Sequence, residues 1–366
     1  MIHIAKPLIG EKELKSIKEV LDSGMLAQGE IVKKFEEEFA DYLGARYGKA
    51  VSNGTAALDV ALKSMDIGHG DEVITSPFSF IASSNCVLFQ GAKPVFSDIE
   101  EDSFNLDPEL VMEKINDKTK AILVVHLFGQ PANMGAFKDI AEDHGLYLIE
   151  DACQAHGAEY KGQKVGSIGD AGTFSFYPTK NMTTSEGGIV VTNDEDIDRK
   201  ANLVRDHGQS AKYTHDMLGY NLRMTNIAAA IGRCQLEKLD SWNDKRIKNA
   251  EMLTSEIKKI PGLTPPAVVD GVKHVFHQYV VKVEDDHPMS REELMAALRE
   301  DGVGTAVHYP MPITDQPLYI EKGYSSSDYP ITVDASKKVM SLPVHPSVTE
   351  EDIRLILNSL KRRNQI

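Results

Sequence analysis

The organisation of this 366-residue chain centres on one stretch, Phe174-Ser-Phe-Tyr-Pro-Thr-Lys180-Asn-Met-Thr-Thr-Ser-Glu-Gly-Gly-Ile-Val190. Its first part is a short apolar run that predicts a buried strand ending at Pro178, and Gly187-Gly188 lead into a second β-branched run. Lys180 therefore lies in a polar turn between two buried strands, where loss of water from its ammonium would lower its pKa and favour Schiff-base chemistry. A solvated surface lysine is the ordinary alternative, and partners elsewhere in the chain must decide between the two.

Composition and charge exclude several classes of protein. A hydrophobic fraction of 42% and a charged fraction of 26% are ordinary for a soluble globular protein. The net charge of −15 argues against binding to nucleic acid or to an anionic membrane surface. Three scattered cysteines indicate neither a disulfide framework nor a structural metal site, and the N-terminus has no long apolar core. These features predict a cytoplasmic protein without a metal.

Strands and helices alternate along the first two thirds of the chain, and the strands are apolar throughout. Strands are predicted at Lys49–Ser52, Glu72–Thr75, Lys93–Asp98, Lys120–Leu127 and Leu146–Asp151, with helical patterns between them. The sequence then predicts one long helix or a broken pair over 224–260, a strand over 274–283 and a final helix over 349–362. This order predicts a large three-layer α/β/α domain with a mostly parallel sheet (1–245) and a smaller C-terminal α+β domain (246–366).

Polar residues follow several of the predicted strands, where a parallel sheet collects its ligands. Asp151 ends a strand, and a carboxylate there can pair with a protonated pyridine nitrogen, although a structural Asp is the common alternative. Gly54 and Thr55 open a helix, where N–H groups and a hydroxyl suit a phosphate. Strand–turn–helix glycines are common, so this feature alone decides nothing.

Two further residues complete a set. Phe80 could stack on an aromatic cofactor, and Ser175, five residues before Lys180, could give a second hydroxyl to the phosphate. Each has an ordinary structural reading when taken separately. Together with the lysine and the carboxylate they describe a site for pyridoxal 5′-phosphate (PLP). No G-x-G-x-x-G follows the first strand, so a dinucleotide-dependent dehydrogenase is disfavoured.

A family resemblance covers essentially the whole chain. The chain resembles the DegT-type nucleotide-sugar aminotransferases of the fold-type-I PLP superfamily. The motifs that carry the resemblance are Ser52-Asn-Gly-Thr-Ala-Ala-Leu58, Glu150-Asp-Ala-Cys-Gln-Ala-His-Gly157, Ser175-Phe-Tyr-Pro-Thr-Lys-Asn181, Glu186-Gly-Gly188, Gly219-Tyr-Asn-Leu-Arg-Met224, His308-Tyr-Pro310 and Leu342-Pro-Val-His-Pro346. Ser185 departs from the glycine that is common before Glu186.

The resemblance implies a role for each matching position. Lys180 would carry the cofactor as a Schiff base, and Asp151 would bind its pyridine nitrogen. Gln154 would lie against the ring's face or hydroxyl edge. The remaining implied contacts are Phe80 stacking on the ring, Gly54, Thr55 and Ser175 at the phosphate, Asn221 reaching that phosphate from the neighbouring subunit, and Arg223, His308, Tyr309 and His345 on the substrate side.

The resemblance further implies a homodimeric aminotransferase with shared active sites. Glutamate would give its nitrogen to the cofactor and leave as 2-oxoglutarate. The resulting pyridoxamine 5′-phosphate would aminate a keto-sugar nucleotide for surface polysaccharide or a related glycoconjugate. Alternatives are dehydrating or cyclitol-aminating chemistry on the same fold, and a regulatory protein without catalysis. Some relatives with histidine in place of the lysine are dehydratases, so Lys180 favours transamination.

Overall fold

A seven-stranded sheet forms the centre of the protein in a computed structural model, which describes residues 1–364. The strands of the chain are β1 Tyr47–Val51, β2 Glu72–Thr75, β3 Lys93–Phe96, β4 Thr119–Val125, β5 Tyr147–Asp151, β6 Glu159–Tyr160, β7 Gln163–Lys164, β8 Ala171–Ser175, β9 Gly188–Thr192, β10 Gln209–Ala211, β11 Thr214–His215, β12 Leu263–Thr264, β13 Val272–Lys273, β14 Tyr279–Val283 and β15 Val339–Leu342. The order in the central sheet is β1-β9-β8-β5-β4-β2-β3. Only β9 runs antiparallel to its neighbours, which confirms the mostly parallel sheet.

Helices cover both faces of this sheet. The α-helices within residues 1–364, including those of the C-terminal part, are α1 Glu11–Ser23, α2 Glu30–Leu43, α3 Gly54–Ser64, α4 Ala82–Phe89, α5 Pro108–Met112, α6 Met134–His144, α7 Glu195–Arg205, α8 Asn226–Leu236, α9 Leu239–Ile257, α10 Arg291–Glu300, α11 Pro317–Glu321, α12 Pro330–Lys338 and α13 Glu350–Arg363. Strand β4 shows why two faces are covered, because Leu123 packs into one apolar cluster while Ile122 and Val124 pack into another. Alternate side chains of a strand point to opposite faces, so a continuous apolar run needs a helical layer on each side.

The C-terminal part contains a second sheet of three antiparallel strands, β12-β14-β15. Helices α9, α10 and α13 pack their apolar side chains against it. The predicted helical stretch 224–260 is the broken pair α8 and α9, and α9 spans the predicted boundary at 245/246. No helix within residues 1–364 is long and apolar enough to cross a membrane.

One sequence prediction in this part is wrong at its start. The strand predicted over 274–283 begins only at Tyr279. The chain turns before it, because Phe276 takes a left-handed φ of 44° and its N–H donates to Nδ1 of His274 at 3.1 Å. The backbone carbonyl groups of Phe276 and His277 therefore face a helix instead of a strand, and both accept hydrogen bonds from Arg246.

Candidate active site

The predicted cofactor residues meet at one edge of the central sheet. Strand β5 ends at Asp151, β8 ends at Ser175, and β1 leads directly into Gly54 at the start of α3. These three strands all point the same way, so their carboxyl ends share an edge. Lys180 lies in the turn that connects β8 to the reversed strand β9 at this same edge.

The turn that carries Lys180 is fixed from both sides. Nδ2 of Asn181 donates to Oδ1 of Asn243 on α9 at 2.8 Å and to the carbonyl of Val275 at 3.1 Å. The hydroxyl of Thr183 donates to the carbonyl of Phe176 at 2.8 Å. These bonds tie the turn to the helical layer and to the strand before it, so the lysine is held in place before any ligand binds.

Burial lowers the pKa of the Lys180 amine below its usual 10.5, while the neighbouring acidic groups of Cys153 and Asp151 oppose that shift. Within residues 1–364, no carboxylate forms an ion pair with this amine at 4 Å or less. A lowered pKa increases the fraction of neutral amine, which is the nucleophilic form. The sequence expectation of a desolvated lysine is therefore consistent with the structure.

Asp151 is buried, and each of its carboxylate oxygens accepts one hydrogen bond. Oδ2 accepts from the hydroxyl of Ser83 at 2.7 Å, and Oδ1 accepts from the backbone N–H of Cys153 at 3.2 Å. An ionised carboxylate has about four acceptor positions, so capacity remains for a charged donor such as a pyridinium.

Glu150, the residue before Asp151, anchors the end of β5 on the face of the sheet opposite to Asp151. Glu150 is fully buried, and its oxygens accept the backbone N–H groups of Gly166, Ile168 and Gly169, each at 2.7 Å. The Nε2 atom of His126 lies 2.9 Å from the same carboxylate. Strand alternation thus directs one carboxylate into the protein and the next one towards the site.

A close approach of backbones forms the predicted phosphate seat. A Cβ on Gly54 would lie 2.6 Å from Cβ of Ser175, and a Cβ on Gly188 would lie 2.4 Å from the carbonyl oxygen of Asn53. Glycine at these two positions lets the residues at the start of α3 contact the end of β8 and the start of β9. Asn53 caps the helix by accepting from Ala56 N–H at 2.8 Å, while the first two N–H groups have no intrahelical partner. The cradle fits a phosphate at a helix N-terminus.

The backbone conformation of Ser185 explains why a glycine is expected before Glu186. Its φ is 73°, in the left-handed region that glycine adopts without strain. The backbone N–H of Ser185 donates to the hydroxyl of Thr183 at 3.0 Å, which holds the turn in this conformation. The departure from the family pattern leaves the turn intact.

Two predicted ring contacts differ in exposure. Gln154 is buried, with Oε1 accepting from Phe128 N–H at 2.9 Å and Nε2 donating to the hydroxyl of Tyr309 at 3.2 Å. Phe80 is 56% exposed, in the turn between β2 and α4. Its neighbour Ser79 is linked through Ser83 to the Asp151 carboxylate, and an exposed large aromatic side chain there suits a planar ring that would cover it. The donor set therefore fits PLP.

The predicted substrate residues fall into separate groups. His308 lies near Lys180, where burial and then the lysine charge lower its pKa to about 4, and its Nδ1 lies 2.9 Å from Ser341 Oγ. Tyr309 follows it, and burial raises the pKa of its phenol. His345 makes no hydrogen bond to the Lys180 turn within residues 1–364. Its Nε2 lies 3.0 Å from the carbonyl oxygen of His3 near the N-terminus.

Asn221 and Arg223 are not brought to Lys180 by the contacts of the single chain. Asn221 is exposed and pairs through its backbone with Asp206. Arg223 forms an ion pair with Asp206, and its Nη1 lies 3.0 Å from Nδ1 of His207. The roles implied for them, Asn221 at the cofactor phosphate of a neighbouring chain and Arg223 on the substrate side, stay predictions.

Three residues near the site were missed from the sequence, namely Ser83, Arg246 and His277. Ser83 reads as one more small residue in a helix, and a basic residue on a helix ordinarily faces solvent. Arg246 is instead buried, and burial lowers its pKa to about 10. His277 is buried near the Lys180 charge, and burial holds its pKa well below 6.5. The sequence analysis placed His277 inside the predicted strand 274–283, where it carried no signal of a site.

Comparison with known proteins places this geometry in a family. A model of the DegT/DnrJ/EryC1/StrS aminotransferase family matches residues 7–361. A "pleiotropic regulatory protein" of Geobacillus stearothermophilus is 41% identical, over 95% of this chain and 93% of its own. A dTDP-3-amino-3,4,6-trideoxy-alpha-D-glucose transaminase of Streptomyces venezuelae is 36% identical, over 94% of this chain and 90% of its own. A Streptococcus pneumoniae sugar aminotransferase structure in its PLP form has a TM-score of 0.94 at 27% identity, covering 100% of this chain and 98% of that one.

Proposed function

Because the chain belongs to the DegT/DnrJ/EryC1/StrS aminotransferase family, whose cofactor is PLP, we propose that it moves an amino group from glutamate to the ketone of a keto-sugar nucleotide. The observation that carries this proposal is the convergence of Lys180, Asp151 and the Gly54–Ser175 cradle at one sheet edge. The sugar-nucleotide class is supported by the name of the Streptomyces venezuelae relative.

When bound, PLP supplies an electron sink for the carbon that loses or gains the proton. Lys180 would hold the cofactor, and its neutral nitrogen would take and return that proton. The lowered pKa of this amine allows both roles. Asp151 keeps a positive charge on the ring nitrogen, because its buried carboxylate has little competing water.

The surrounding residues orient the cofactor and exclude water. Gly54, Thr55 and Ser175 would hold the phosphate, and Phe80 would cover one face of the ring. Gln154 keeps its amide fixed between Phe128 and Tyr309, so its orientation is set before binding.

A cleft beside Lys180 supports an anionic donor. Lys6, Lys180 and Arg246 line it together with Trp242, and no acidic side chain contributes to that lining within residues 1–364. Arg246 donates from Nη1 to the carbonyl of Phe276 at 3.2 Å, and no carboxylate neutralises its charge in the part of the chain that is described. In a protein of net charge −15, this acid-free cationic cleft attracts an anion, and its volume of about 20 Å³ gives room for one carboxylate of glutamate but not for the whole molecule.

Trp242 makes the donor cleft testable, because it is the only tryptophan of the chain. Titration with glutarate should change the Trp242 fluorescence, whereas neutral glutaramide should not. Arg246→Gln should raise the Kd for glutarate, measured from this fluorescence change, about tenfold. Arg233→Gln is the matched control, since Arg233 pairs with Glu38 elsewhere on the helical layer. An unchanged response in Arg246→Gln would remove Arg246 from the donor site.

The proposal includes a homodimer with two composite sites. Asn221 of one chain would reach the phosphate held by Ser175 of the other. The exposed side chain of Asn221 supports a contact made across chains. An isologous dimer would form both sites by the same contact.

The test of the whole proposal follows the nitrogen atom. The enzyme is given glutamate with an isotopically labelled amino nitrogen and a panel of keto-sugar nucleotides, and products are analysed by mass. Release of 2-oxoglutarate together with label in an amino-sugar nucleotide is expected, and Lys180→Ala should give neither. Release of 2-oxoglutarate without any labelled sugar would confine the error to the acceptor class, while no release at all would refute the aminotransferase reaction.

A further inference from the structure

Two buried serine hydroxyls form a chain that ends on Asp151. Oγ of Ser83 donates to Oδ2 of Asp151 at 2.7 Å, and Oγ of Ser79 lies 2.9 Å from Oγ of Ser83. Ser79 is 4% exposed, Ser83 1% and Asp151 4%. The serines lie more than sixty residues before the aspartate in sequence, so the contact depends on how the turn before α4 docks on β5.

Chemistry fixes the direction of these hydrogen bonds. An ionised carboxylate only accepts, so the single proton of Ser83 goes to Asp151. The oxygen of Ser83 is then free to accept the proton of Ser79. Donation by Ser79 polarises the Ser83 hydroxyl and strengthens its bond to the carboxylate.

The same turn carries another predicted ring contact. Ser79 is followed directly by Phe80, whose side chain is open to solvent. The hydroxyl of Ser76 fixes the turn from its other end by accepting from Phe78 N–H at 3.0 Å. One short segment thus sets both the aromatic face and the plane of the carboxylate.

We propose that Ser83 is a positioning residue that fixes the Asp151 carboxylate for the pyridine nitrogen of the cofactor, and that Ser79 orients Ser83. This rests on the proposed function, in which Asp151 pairs with that nitrogen. The two carboxylate oxygens of Asp151 accept from different donors, the Ser83 hydroxyl on one and Cys153 N–H on the other. These two hydrogen bonds define the plane of the carboxylate. Removal of the Ser83 hydroxyl leaves only the hydrogen bond from Cys153 N–H, about which the carboxylate can rotate.

The first measurement is cofactor affinity in the purified protein. Ser83→Ala should raise the Kd for PLP about threefold or more, because a charge-assisted hydrogen bond is lost. The rate constant of the half-reaction with saturating glutamate should fall about tenfold, while KM for glutamate stays unchanged. Ser83→Thr keeps the hydroxyl and should restore both values. Ser79→Ala should show the same changes at smaller size.

Ser84→Ala is the matched control on the same helix. Ser84 is equally buried, but its hydroxyl donates to the carbonyl of Ile81 and accepts from Tyr319, away from Asp151. This variant should keep the wild-type Kd for PLP and the wild-type half-reaction rate. A loss as large as that of Ser83→Ala would mean that any buried hydroxyl on α4 matters, and would overturn the proposal.

A double-mutant cycle with Asp151→Asn separates positioning from general structure. If Ser83 acts through the carboxylate, Ser83→Ala should cost less than about twofold in the Asp151→Asn background. A further tenfold loss in that background would overturn the positioning role and leave the proposed function intact. A wild-type half-reaction rate in Asp151→Asn alone would instead refute the role of Asp151, and with it this inference.

Discussion

Two regions that carry predicted cofactor contacts differ in how the chain holds them. The site floor is defined as Asp151, Gln154, Ser175 and the Lys180 turn. It is joined by hydrogen bonds to strands and helices, with its first three residues buried and Lys180 partly buried. The arm, defined as residues 207–221, contains the small hairpin β10–β11 and ends at Asn221. Its side chains are open, with Tyr213 82% and Leu218 71% exposed.

The arm is nevertheless fixed at its base. Backbone N–H groups of Tyr220 and Leu222 donate to the carbonyls of Val204 and Arg205 at the end of α7, at 2.7 and 2.9 Å. Ser52 N–H donates to the carbonyl of Leu222 at 2.7 Å, just before the phosphate cradle. The floor is thus held by contacts within its own chain, whereas the arm is fixed at its base and leaves the side chain of Asn221 exposed. The difference separates the predicted contacts that one chain brings together from those that the proposed dimer would have to supply.

The largest expected effect is removal of the floor's lysine. Lys180→Ala should lower turnover by on the order of 10⁴-fold or more, because both the attachment point and the proton carrier are lost. The protein should still bind PLP through the Gly54–Ser175 cradle. Borohydride reduction of the wild-type holoenzyme should fix the cofactor on the peptide that contains Lys180, and labelling of a different lysine would contradict the assignment.

Asp151→Asn should have the next largest effect. An amide carries no charge to hold a positive ring nitrogen, so both half-reactions should slow by about 10²- to 10³-fold. The amide keeps the shape of the side chain, and the folded protein should melt near the wild-type temperature. Single-turnover rates with glutamate and with the keto-sugar nucleotide are the measurement. Near-wild-type rates in both directions would leave Asp151 with a structural role only.

Mixed dimers test the arm against the floor directly. Lys180→Ala damages the floor and Asn221→Ala damages the arm, so each homodimer should be impaired at both sites. After random exchange of equal amounts, half of the dimers are mixed and each has one intact site, which restores about a quarter of the wild-type sites. The measurement is activity after exchange, with heterodimers verified by differently tagged chains.

Recovery has meaning only if the arm variant has a defect. Asn221→Ala must first show weaker cofactor retention or slower turnover than wild type. Verified heterodimers without recovery would place Asn221 outside the partner's site, and the comparison of the two regions would fail.

The floor was the more predictable region, for a physical reason. Asp151 and Ser175 end continuous apolar runs, and parallel strands bring their carboxyl ends together whatever the intervening loops do. Glycines with forced close contacts, Gly54 above all, mark the cradle in the same way. Strand periodicity and glycine placement are local signals, so a single sequence carries them.

The residues that were missed depend on docking between distant segments. Ser83 acts on Asp151 only because α4 packs against β5, and no local pattern records that contact. Arg246 looks like a solvated helix residue until the loop before β14 covers it. That loop was itself mispredicted as strand, since apolar spacing does not report the left-handed φ of Phe276.

The smallest expected effect concerns the free-energy cost of desolvating the Lys180 ammonium in the folded protein. Burial lowers the pKa of Lys180 in the folded chain below the value near 10.5 that it has when unfolded. Below the folded-state pKa both states bind the proton, and the folded state bears the full cost of desolvating it. As pH rises towards 10.5 the folded lysine loses its proton first and the cost is relieved. Lys180→Met removes this cost while keeping an unbranched side chain.

Cofactor-free Lys180→Met should therefore melt about 1–3 °C above the cofactor-free wild type at about pH 7, with the difference shrinking as pH approaches 10.5. Lys212→Met is the control in the arm, because its ammonium is exposed and has no desolvation cost to recover. Calorimetric melting of the three proteins at two pH values is sufficient. A gain that is equal in both variants, or that does not shrink with pH, would show that the stabilisation comes from added apolar surface and not from the buried charge of Lys180.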